Sequence, residues 1–176
     1  YEFAGTKLAD VPLASLSNPQ LAAIADRIDK IARVRYEDSA RVVLDSSAAD
    51  GAATLRAALL SRREGDLSRL AQMVALQEEL DWLCYRLYGI NPDAEIRDPD
   101  ALGPLTPGLR PFEMSLARED AERAAALARG EEPDEQPTAW FTRHGWTPHT
   151  TLDALPESER AIVQARLERT EASREL

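Results

Sequence analysis

The chain has 176 residues, 44% apolar and 30% charged, with a formal net charge of −10 and a pI near 4.7. That balance excludes a disordered chain, and its acidity excludes a phosphate-binding surface as a property of the whole. No apolar run approaches the roughly 18 residues of a membrane span, no signal-peptide pattern opens the chain, and the lone Cys84 excludes an internal disulfide and suits a reducing cytoplasm.

Tyr1 stands where an initiator methionine would, so the sequence reads as a piece of something longer. Residues 1–17 alternate weakly around Gly5 and Pro12 and read as an extended lead-in, the end of an upstream domain. Asn18 then offers an N-cap and Pro19 a first helical residue. Leu21, Ile24, Ile28, Ile31 and Val34 follow at steps of three and four, a narrow apolar seam. Asp45, Ser46, Ser47, Asp50 and Gly51 mark a break. A short helix over 54–62 is expected next, able to merge with its successor through Gly65.

From Asp66 the seam resumes through Leu70, Met73, Leu76, Leu80, Leu83 and Leu87. Gly89 and Pro92 stop it. The fold class is therefore mainly α: an antiparallel pair of long helices, a coiled-coil-like hairpin over 18–90, with additional helices and a Pro-rich wrapping segment. Within the second helix Trp82 and Tyr85 point more than about 100° away from the leucines. Such a helix needs two covers. One is the first helix. The stretch WFTRHGWTPHT (140–150), the second concentration of aromatics, is the candidate for the other.

Residues 91–111 hold five prolines and two glycines and read as a linker. A helical extension over 112–176 follows, with helices near 113–129 and 157–172 on either side of an acidic loop and the Trp-rich stretch.

Nearly all cations are arginine, lysine occurring only at Lys7 and Lys30, and 31 acids are present. Most arginines are expected in bidentate pairs with carboxylates. Glu78, Glu79 and Asp81 accordingly read as an arginine-paired or solvated face rather than a general-base site. Arg86, one turn beyond Trp82, is expected to stack on it. His144 and His149 lack a ligand set beyond Asp153, so no metal site is expected. Cys84 reads as a small buried hydrophobe. No nucleotide-binding glycine loop, nucleophile elbow or zinc-protease helix occurs.

Four stretches together resemble one family. They are YEFAGTKLADVPL, SNPQLAAIADRIDKIAR, LQEELDWLCYRLYGI, and RPFEMSLARED followed by TAWFTRHGWTPHT. They are similar to the region after the catalytic core of Eco57I-like adenine-specific DNA methyltransferases, in particular the phage-growth-limitation (PglX-type) enzymes of BREX defence systems. In relatives the RPFE stretch runs more directly into the Trp-rich stretch; here 121–137 is longer and more acidic. The residues that carry the resemblance include Trp82, Tyr85, Tyr88, Gly89, Trp140 and Phe141.

The resemblance implies S-adenosylmethionine-dependent methylation of adenine N6 by the parent, in restriction or phage exclusion. It assigns no catalytic residue and no cofactor to this piece, because Asn91, Pro92 and Asp93 depart from the family's Asn-Pro-Pro-Tyr motif. The expected role is a non-catalytic spacer, with the other domains of the parent, DNA through the parent, and a defence-system protein as partners. Lys7, Arg143 and His144, in segments read as non-helical, are candidates for DNA-backbone contacts. The competing reading is a self-associating helical module unrelated to methylation.

Overall fold

A computed structural model describes residues 18–47, 51–132 and 136–173. The expected lead-in over 1–17, with Lys7, lies outside them. The described elements are α1 (Pro19–Glu37), α2 (Ala40–Ser47), α3 (Ala52–Leu87), a 3-10 turn (Pro99–Ala101), α4 (Pro111–Ala128), α5 (Trp140–His144) and α6 (Glu157–Ala172). No strand occurs among the described residues, and none of their helices is long and apolar enough to cross a membrane.

The helix boundaries follow local chemistry. The Asn18 side chain accepts hydrogen bonds from the amides of Gln20 (2.9 Å) and Leu21 (3.2 Å), and Pro19 sits where its missing N–H costs nothing. The end of α3 is a full Schellman closure: Ile90 N–H donates to the Tyr85 carbonyl and Gly89 N–H to that of Arg86, at 2.9 and 3.2 Å. Gly89 takes φ 73°, a conformation side-chain-bearing residues resist. The segment over 54–62 merges through Gly65 into a single 36-residue α3, about 54 Å long.

α1 and α3 run antiparallel. Gln20 at the start of α1 meets Arg86 near the end of α3, and Arg35 near the end of α1 grips Asp66 through two hydrogen bonds at 2.9 and 3.1 Å. Between them Ile24, Leu76 and Leu83 form a buried cluster, flanked by Leu21, Ile28, Ile31, Leu80 and Leu87. Burying a leucine such as Leu83 fully is worth about 1.5–3 kcal/mol. The seam is shorter than the leucine spacing predicts. Val34 is 41% exposed, and Leu70 turns into a different cluster. At that end the Arg35–Asp66 pair stands where apolar contact was expected.

The second cover over α3 differs from the expected one. Val74 and Ala75 pack with Leu105 and Leu109 of the wrapping segment, Met114 of α4, Leu155, and Val163 and Leu167 of α6. Trp82 is 3% exposed, with Ala94, Ile162 and Arg166 around it. The Trp-rich stretch does not reach it. Trp140 instead stacks edge-on against Phe112 at 5.2 Å. The reason lies at Gly108, whose φ is 93°: a Cβ there would come within 2.2 Å of the Thr147 carbonyl oxygen. That backbone contact fixes the loop against the wrapping segment, and Arg118 of α4 also holds it by donating to the Thr150 carbonyl.

Candidate functional site

One turn of α3 carries three acids, Glu78, Glu79 and Asp81, and the fold brings arginines to them from distant sequence. Glu79 is fully buried. It accepts from the amide and Nε of Arg97 (3.0 and 2.9 Å), and from both terminal nitrogens of Arg166 (2.8 and 2.7 Å). Glu78, also buried, accepts from Arg110 Nε at 2.9 Å and from the Trp82 indole at 2.5 Å. Asp81 takes a further nitrogen of Arg110. Arg97 bridges onward to buried Glu159 of α6 at 2.5 Å. The wrapping segment, α3 and α6 thus meet in one buried ionic network.

A buried carboxylate with one partner loses more hydration than it regains, whereas saturation with donors closes the deficit. Saturation is what the described residues show: no buried side-chain nitrogen or oxygen among them lacks a partner. Burial works to raise the Glu79 carboxyl, but the hydrogen bonds and charge of Arg166, then of Arg97, overcome it and hold the group below its ordinary range. Glu78 goes the other way. Burial pushes it up despite the pull of Arg110 and Arg166. For Arg97 and Arg110 burial is likewise overridden, and their acidic partners hold both guanidinium groups more firmly protonated. The carboxylates are committed to arginine and tie the wrapping segment and α6 to α3.

A second network joins α4 to the Trp-rich stretch. Glu113, fully buried at the third position of α4, accepts from the amides of Gly108 (2.7 Å) and Arg110 (3.2 Å), closing the helix start. Its other oxygen accepts from the Trp140 indole at 3.2 Å. Trp140, His144 and Trp146 form an aromatic group beside it, with His144 stacked on Trp146 at 4.7 Å.

The residues singled out in the sequence distribute over both places. Trp82 and Tyr85 meet edge to face at 5.6 Å at the ionic network. Tyr88 and Gly89 lie at the exposed end of α3. Trp140 and buried Phe141 open α5, and Arg143 and His144 are exposed on that same short helix, where a loop was expected. The guanidinium over Trp82 belongs to Arg166, at 5.1 Å, and not to Arg86. Arg86 instead points to Gln20, because its place on α3 faces the α1 side. Cys84 is half-buried, and burial raises its thiol.

Sequence reasoning missed Arg97, Arg110, Arg166, Glu113 and Glu159. The available signal was general: arginine without lysine, beside prolines in a segment read only as linker. Among the described residues no three His, Cys, Asp or Glu side chains are grouped to hold a metal ion. Asn91 is buried, its side-chain oxygen accepting from Arg169.

Comparison with known proteins places the chain. It is 36% identical over 179 aligned positions to the adenine-specific methyltransferase PglX of Streptomyces coelicolor, an alignment covering 99% of this chain and 13% of that protein. The chain therefore spans about an eighth of that relative's length. No solved structure matches. The model of a family described as a domain of unknown function, DUF7008, matches residues 73–176. That stretch begins one residue before Val74, where burial resumes along α3, and holds every member of the ionic network. The chain belongs to the DUF7008 family.

Proposed function

We propose that this chain is a non-catalytic helical region of an adenine-N6 DNA methyltransferase of a restriction or phage-defence system. In this reading it sets the spacing between modules of the parent. The observation that carries the reading is the 36% identity to a PglX methyltransferase along nearly the whole chain. The buried ionic network supports it physically, because crosslinking three segments through directional hydrogen bonds resists shear better than apolar contact alone. The organisation we infer is a lead-in over 1–17, a spacer over 18–90, a wrapping linker over 91–111 and a C-terminal extension over 112–176. S-adenosylmethionine would be held by other parts of the parent, which act on DNA.

Replacing residues 18–173 of the full-length protein by a flexible Gly/Ser linker tests this. The expected result is retained binding of S-adenosylmethionine with strongly reduced methylation of DNA adenine. Loss of cofactor binding would make the region part of the cofactor site, and undiminished methylation would make it dispensable. Either outcome defeats the spacer reading.

A further inference from the structure

Ala53, Arg56, Leu60, Arg63 and Leu67 follow one another on α3 at steps of three, four, three and four. At about 100° per residue they fall within an arc of about 80°, centred roughly 160° from the seam that meets α1. Leu60 is 52% and Leu67 54% exposed. Arg56 and Arg63 are exposed and have no ion-pair partner among the described residues, whereas Arg62 and Arg69, on the α1 side, pair with Asp66 and Asp38. From residue 25 to residue 73 no described residue is buried. This half of α3, with α2 and the end of α1, is an arm whose outer face no described residue covers.

Continued along α3, the same arc passes through Val74, Glu78 and Tyr85, where α4, α6 and the wrapping segment do cover it. In that covered half the helix supplies acids and the cover supplies Arg110. In the bare half the helix supplies the arginines, so a matching cover must supply carboxylates. We propose that the stripe from Ala53 to Leu67 docks an acidic amphipathic helix from the remainder of the parent polypeptide, prolonging the cover that α4 and α6 begin. The length of the relative outside the aligned region leaves ample chain to provide it. Charge argues against a second copy, since stripe on stripe sets arginine against arginine, and exposed leucines between the arginines suit a protein surface better than a phosphate backbone.

The inference deepens the spacer reading, and its test is separate from methylation. A photo-crosslinking phenylalanine analogue is placed at position 60 or 67 of the full-length protein, with Ser61, about 120° off the stripe, as control. The expected adduct from 60 and 67, absent from 61, joins the stripe to a helical peptide of the same polypeptide bearing Asp or Glu at helical spacing. R56E/R63E should lower its yield at least about tenfold, and acid-to-arginine changes on the captured peptide should restore it. No adduct, an adduct between two copies, to DNA, to another protein or to a peptide without carboxylates would each overturn the proposal. Methylation, scored in parallel on R56E/R63E, reports on the spacer reading independently of the adduct.

Discussion

Arg166→Met is the sharpest probe of the buried network. Methionine keeps an apolar stem over Trp82 but removes two of the four hydrogen bonds that Glu79 accepts, leaving only those from Arg97. Glu79 is fully buried and cannot turn to water. Removing one partner of a buried ion pair typically costs about 3–5 kcal/mol, and the remaining Arg97 contacts place this case near the lower end, at about 3 kcal/mol. That is roughly a hundredfold change in the equilibrium for opening α6 away from α3. Hydrogen exchange of the α6 amides in the full-length protein reads it directly, protection falling there while the α1 amides change little. A second variant, Glu79→Leu with Arg166→Met, removes the stranded charge and should recover most of the loss. A single variant within about 0.5 kcal/mol of the parent, or a double variant less stable than the single, would refute the reasoning.

Other outcomes follow from the same geometry. Gly108→Ala places a methyl group against the Thr147 carbonyl at a φ of 93°; a destabilisation of about 2 kcal/mol or more is expected, read as loss of exchange protection around Phe141. Because Glu79 is held below the ordinary carboxylate range, its stabilisation is present at neutral pH and lost as pH falls through that lowered value. Glu78 has the opposite sign: its raised value costs stability as pH climbs from the usual carboxylate range toward it. Denaturant midpoints measured against pH should therefore show an acid limb that Glu79→Gln flattens; an unchanged limb would remove the assignment. Alanine at Lys7, Arg143 and His144 together should make the salt dependence of DNA binding by the full-length protein shallower by about two in log–log slope, and an identical slope would dismiss those contacts.

By itself the sequence determined what acts over a few residues. The Asn18 cap, the glycine stop after Leu87 and the steps of three and four in α1 and α3 specify helices and one apolar side without reference to the rest of the chain. The two-sidedness of α3 was legible in the same way, since Trp82 lies far round the helix from Leu83. Fine placement failed where apolar spacing competed with a stronger contact. Val34 yields to the Arg35–Asp66 pair. Which segment covers Trp82, and whether Glu78 and Glu79 face water or arginine, only the tertiary structure decided. Glu79 and Arg166 stand 87 residues apart. A carboxylate on a helix face has the same periodicity whether solvated or buried, and only the folded arrangement brings the donors that make burying it tolerable.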